Sequence, residues 1–144
     1  MIDLSRLTKT QILALTAYGE ARGEPIEGLV AVMSVIRNRV NEGRFGGGTY
    51  YLVCTKPKQF SCWNEDDPNR KLLEKAVESL NDGILPRVLE LCMLVAEGII
   101  KGIIPDNTKG SNHYLTRKLF NEGTVSWAKG SPKAIIGNHV FLHL

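Results

Sequence analysis

Two apolar helical stretches meet at a break rich in glycine and glutamate, AYGEARGEPIEGL from Ala17 to Leu29, and this pairing constrains the fold more than any other feature. Thr8 and Gln11 have the spacing of a capping box, in which the hydroxyl accepts a free backbone N–H and the amide reaches back. A helix is predicted to begin there, to bury Ile12, Leu13, Leu15, Thr16 and Ala17, and to end near Glu20. Pro25 suits the first position of a second helix, because its missing N–H would have no partner there. Ile26, Leu29, Val30, Met33, Ile36 and Val40 recur at helical spacing, and Ala31, Val32 and Val35 widen the apolar surface. This second helix is therefore predicted to be central to the core, with Arg37 and Arg39 tying its end.

From Asn41 to Asn69 the periodicity breaks, and FGGGTYYL with KPKQFSCWNEDDPN predicts a long irregular segment of functional type. Helical spacing returns with Leu72, Leu73, Ala76, Val77 and Leu80, and again from Pro86 to about Gly102. The tail segments SNHYLT and NHVFLHL have the branched and aromatic content of strands in a small hairpin. The expectation is one α+β domain over residues 1–144, mostly helical.

With 144 residues and 43% hydrophobic side chains, the chain can bury one ordinary core. Its formal charge of +3 is spread without dense Lys/Arg blocks, so nucleic acid is not an expected partner. No apolar run reaches the ~20 residues of a bilayer span, so stable membrane insertion is not expected either. The polar start MIDLSRLTKTQ differs from a signal peptide, and the expectation is synthesis in the cytoplasm, as a monomer. Cys54, Cys62 and Cys92 lack CxxC spacing and are expected to be reduced, with a Cys54–Cys62 bridge as the alternative.

Glu20 falls at the end of an apolar helix, where desolvation and the negative end of the dipole both favour the protonated form that a general acid requires. Glu24 stands at the start of the next helix, where a carboxylate is stabilised as the anion, so its plain role is a cap or a partner for Arg22. Glu27 is expected to be solvated. His113, His139 and His143 give no convincing metal pattern, and neither metal nor cofactor is expected. Cys62 with His113 has no local signature of a nucleophilic pair. FGGGTYY lacks the lysine of a phosphate loop.

The segment YGEARGEPIEGLVAVMSVIRNRV closely resembles the opening of the spore cortex-lytic, SleB-like cell-wall hydrolases, which also occur as phage lysis enzymes. QFSCW, NHY, SWAKG and IGNHVF agree in the same order, from about Leu13 to Phe141. The resemblance implies a lysozyme-like fold and cleavage between N-acetylmuramic acid and N-acetylglucosamine in peptidoglycan. It also implies that Glu20 is the catalytic acid, with Glu24 in reserve. Without a wall-binding repeat, the chain looks like the catalytic module of a phage endolysin that reaches the wall after release.

By the same carry-over, Gln59 and Ser61 are expected to hydrogen-bond the sugars, and Phe60 and Trp63 to pack on sugar faces. The alternatives are that Phe60 belongs to the core and Trp63 closes the loop. His113 and Tyr114 are expected along the cleft, while Trp127 and His139 are expected to be packing residues. Asp66 and Asp67 are the nearest second carboxylates for a hydrolytic muramidase, but NEDDP reads more simply as a loop into the next helix. A lytic transglycosylase is therefore the leading reading, ahead of a muramidase and of a wall-binding or virion module without activity.

Overall fold

The computed structural model describes residues 3–57 and 59–144. Thr8 Oγ1 accepts from the Gln11 N–H at 3.1 Å and Gln11 Oε1 accepts from the Thr8 N–H at 3.0 Å, so the expected capping box opens α1, Lys9–Ala21. Every residue from Ile12 to Gly19 is buried. Such a stretch carries no polar face to turn to water, and α1 becomes the helix around which the others pack. Its neighbours are α2 (Ile26–Glu42), α3 (Tyr50–Thr55), α4 (Pro68–Asp82) and α5 (Arg87–Ile100). The expected central role of α2 is thus shared and largely taken by α1. Pro25 is the residue that flanks α2 rather than its first helical position.

The segment from Asn41 to Asn69 is more ordered than its sequence suggests. Thr49 accepts from the Leu52 N–H at 3.1 Å and starts α3, and Ser61–Trp63 forms a 3-10 turn. Six residues are too few to show a helical period; α3 forms because Val53 and Cys54 are fully buried against α1 and α2. Asp67 accepts from the Asn69 N–H at 2.8 Å and caps α4, whose first residue is Pro68.

The C-terminal sheet has three antiparallel strands, β1 (His113–Thr116), β2 (Ala134–Ile136) and β3 (His139–Leu142), in the order β1-β3-β2. The two strands expected from the sequence do pair, Tyr114 opposite Phe141 and Leu115 opposite Val140. The tight hairpin, however, joins β2 to β3 through Gly137 and Asn138, with Gly137 at φ +57 as a two-residue turn of this kind requires. Between β1 and β2 the chain adds a short helix, α6 (Arg117–Glu122). Phe141 packs on Ala31 and Val35 of α2, while Val140 and Leu142 face the opposite way toward Leu115 and Ala128.

The 3-10 turn is pressed onto the end of α1. A Cβ at Gly19 would lie 2.8 Å from Cys62 Cβ and 2.9 Å from its Sγ, and Leu73 closes the same spot at 3.2 Å. One turn earlier, the Trp63 indole N–H donates to Thr16 Oγ1 at 2.8 Å, and the Thr16 hydroxyl donates to the Ile12 carbonyl at 2.7 Å. All three cysteines are buried and free, and Cys54 is not bridged to Cys62. Gly19→Ala is expected to lower the unfolding free energy by about 1–3 kcal/mol, read from the denaturant midpoint. Gly23→Ala, where an added Cβ meets nothing within 4 Å, is expected to change it by less than about 0.5 kcal/mol. Equal effects at the two positions would show that the Gly19 contact is not limiting.

Candidate active site

The buried run of α1 ends one residue before Glu20, which leaves that carboxyl half-buried at the edge of the core. β1 brings Tyr114 to it, and the phenol donates to Glu20 Oε1 at 3.3 Å. Burial raises the Glu20 carboxyl above its ordinary value; hydrogen bonds from the Cys62 thiol and N–H and from Tyr114 pull the other way, and the Asp67 charge adds to the rise. Tyr114 is itself pushed well above the usual phenol range by burial and by the Glu20 charge beside it, so it stays a donor.

Glu20 and Tyr114 open into a cavity of about 370 Å³ together with Arg39, Gln59 and His113. Phe45, Phe60 and Trp127 complete its apolar walls. A larger groove of about 730 Å³ lies between the N-terminal turn and α4, lined by Arg6, Gln11, Glu74 and Glu78 among others. Size alone does not select the site; a desolvated carboxyl with an adjoining donor is found in the smaller one.

Arg39 is only 8% exposed, although arginine is seldom so deeply buried. Its Nε donates to the Asn112 carbonyl at 2.7 Å, and its Cζ lies 4.8 Å from the Phe45 ring centre and 5.4 Å from that of Phe60. Burial lowers its value, but a guanidinium remains a cation. His113 is brought down to about 4, first by burial and then by the charges of Arg39 and Arg44, so it is neutral at physiological pH. Asn112 Oδ1 accepts from the Leu144 N–H at 2.9 Å, which identifies it as an acceptor and makes the His113 Nδ1, at 2.9 Å, the protonated nitrogen.

The expected sugar contacts divide. His113, Tyr114, Gln59 and Phe60 all line the cavity. The Gln59 amide N–H groups are already engaged with the carbonyls of Phe45 at 3.1 Å and Val53 at 2.8 Å, which leaves its carbonyl oxygen for a ligand. Phe60 is 2% exposed and serves as floor and core at once. Ser61 is exposed outside the cavity lining. Trp63 is turned inward at 6% exposure, because its indole N–H finds a partner at Thr16, and it closes the loop rather than facing a sugar.

Glu24 is outside this cavity and neither caps α2 nor pairs with Arg22, whose Nη1 donates to the Gly19 carbonyl at 3.3 Å. It grips the β2–β3 turn instead, accepting from the Asn138 N–H at 3.2 Å and meeting His139 Nδ1 at 2.8 Å. His139 in turn stands edge-on to the Tyr114 ring, 5.3 Å between centroids. Asp67 is used as the α4 cap and Asp66 is exposed.

Arg39, Phe45 and Trp127 belong to the cavity without having been expected there. Trp127, 41% exposed and 5.1 Å from the His113 ring, stands at the rim instead of being packed away. The signal for Arg39 was present in the sequence: a charge three residues after Ile36, on the apolar face of α2.

Comparison with known proteins places the fold in a family. The profile of the family described as Cell Wall Hydrolase matches residues 23–142, beginning three residues after Glu20. The spore cortex-lytic enzyme of Oceanobacillus iheyensis is 42% identical over 77 residues, covering 49% of this chain and 27% of that protein. That of Bacillus subtilis is 35% identical over 75 residues, covering 49% and 24%. The chain thus spans about a quarter of the length of these curated relatives. The crystal structure of the catalytic domain of the Bacillus cereus SleB protein superposes with a TM-score of 0.62 at 28% identity, over 92% of this chain and 88% of that one. The catalytic domain of the germination-specific lytic transglycosylase SleB from Bacillus anthracis gives 0.60 at 28% identity, over 92% of each. A mostly helical chain with a small C-terminal sheet, matched over residues 23–142, belongs to the cell wall hydrolase family.

Proposed function

We propose that the chain cuts the glycosidic bond between N-acetylmuramic acid and N-acetylglucosamine in peptidoglycan, as a lytic transglycosylase with Glu20 as acid and then base. The observation that carries this reading is a carboxyl whose burial favours the protonated form, set in a cavity with the Tyr114 hydroxyl upon it. Such a group can give its proton to the glycosidic oxygen as positive charge develops at the anomeric carbon. The carbon–oxygen bond then breaks, the leaving sugar departs as an alcohol, and Glu20 is left as an anion stabilised by the Tyr114 donor. That anion accepts the proton of muramic acid's own primary hydroxyl, whose oxygen bonds to the anomeric carbon and closes an anhydro ring. Glu20 ends protonated, and no water is consumed.

Hydrolysis would instead call for a second carboxylate to position water or attack the sugar. Among the described residues lining the cavity, Glu20 is the single carboxylate, and the Asp67 side chain is committed to α4. The Bacillus anthracis neighbour is described as a lytic transglycosylase, which supports the same outcome. The proposed setting is lysis of a bacterium by a phage, resting on the family resemblance alone. Expression in a bacterium with and without a membrane pore protein tests that setting. Lysis only with the pore is expected, and lysis without it would contradict release from the cytoplasm.

Mass spectrometry of digested muropeptides is expected to show anhydro-muramoyl ends; reducing ends would reassign the reaction to hydrolysis. Glu20→Gln is expected to slow clearing of wall suspensions by about 10²–10⁴-fold while the protein still binds the wall. Undiminished clearing would remove Glu20 from the mechanism. Because burial raises the folded-state value of Glu20 above the unfolded one, stability is fully present below the ordinary glutamate range and declines as pH rises through the raised value. The rate should fall over that same pH window, and Glu20→Gln should lessen the loss of stability across it.

A further inference from the structure

Arg39 sits in the cavity as a buried cation with unused donors. Its Nε is bonded to the Asn112 carbonyl, but among the described residues neither Nη has a hydrogen-bond partner and no carboxylate lies within ion-pair distance of the guanidinium. Glu42, the acid nearest in sequence, is engaged by Arg44 Nε at 3.1 Å and by Asn112 Nδ2 at 3.0 Å. At 8% exposure, what access the guanidinium keeps is through the cavity it lines. Phe45 and Phe60 hold its plane without neutralising it. With His113 neutral and no carboxylate within ion-pair distance, the guanidinium is the cavity's fixed positive charge. An unpaired charge in a partly dry site is a strong attractor for an opposite one, and a guanidinium fork matches a carboxylate in shape.

We propose that Arg39 forms an anion subsite that takes a carboxylate carried by the muramic acid residue, on its lactyl ether or on the peptide attached to it. This inference rests on the peptidoglycan reading of the cavity. A carboxylate on Arg39 also adds negative charge to the walls, which favours the protonated form of Glu20 needed for the first step. A neutral sugar can offer the Arg39 donors only uncharged acceptors, so the subsite favours muramic acid over its uncharged neighbour in the strand.

NMR titration of the protein, followed at the Trp127 indole, compares N-acetylmuramic acid, its methyl ester and N-acetylmuramoyl dipeptide. The acid is expected to bind at least about tenfold more tightly than the ester, the size of one charge-assisted hydrogen bond made or lost. A dipeptide as weak as the ester places the carboxylate on the lactyl ether, and a dipeptide as tight as the acid places it on the peptide. An ester that binds as well as both the acid and the dipeptide overturns the subsite. Arg39→Gln is expected to bring the acid-to-ester ratio to about one; an unchanged ratio in a folded Arg39→Gln protein also overturns it. Should that variant not fold, the ratio in the unsubstituted protein decides. Peptidoglycan left uncut by a protein that prefers the acid would sink the enzymatic reading alone. Peptidoglycan cut by a protein indifferent to the charge would sink the subsite alone.

Discussion

At the end of α1 the backbone of Gly19 and the side chain of Cys62 lie so close that a methyl group between them would overlap carbon and sulfur. The contact draws the 3-10 turn over the last turn of the helix, and the Trp63 indole bonded to Thr16 fastens it one turn earlier. Glu20 comes next in the chain. Its partial dryness, and therefore its readiness to hold a proton, follows from how tightly that turn is seated. Cys62 serves as packing: burial pushes its thiol far up, so it stays an S–H, directed at the Thr16 carbonyl at 3.9 Å, and sets no competing charge beside the carboxyl. A single absent side chain thus connects helix packing to acid strength.

The cavity opposes this acid with a fixed cation. Burying Arg39 costs solvation, which is offset by a carbonyl acceptor and two aromatic faces but by no counter-charge among the described residues. Its field, with that of Arg44, helps hold His113 neutral, so the imidazole offers a lone pair on Nε2 beside the Asn112-bonded Nδ1. Charge and neutrality in the site are therefore set by residues on α2 and the loop after it, whereas the acid comes from α1 and its donor from β1.

The sequence makes the long helices plain because each carries its own evidence. Thr8 and Gln11 announce α1, and the apolar spacing of α2, α4 and α5 repeats over several turns. α3, α6 and β2 are three to six residues long and owe their existence to what they pack on, which no local pattern records. Glu20 is legible as a carboxylate that follows an apolar run. Glu24 is not, since helix-start reasoning sees only the adjacent backbone and its partner His139 lies 115 residues further on. Trp63 shows the opposite failure: an aromatic in a loop suggests a sugar platform until its N–H is found satisfied inside the core. Arg39 was visible as a charge on an apolar helical face, yet proximity to a helix end offered a simpler explanation.

The order of strands in the sheet gives this site an unusual history in each molecule. β3 is the last element of the described fold and also the middle strand, flanked by β1 and β2. Until residues 139–142 leave the ribosome, β1 has no strand to pair with, and Tyr114 lacks the sheet that helps align it with Glu20, 94 residues earlier. A nascent chain can gather its helices around α1 well before then. The cavity is the last part of the described fold to be assembled, so a chain made only as far as those helices carries the acid without the wall that puts it to use.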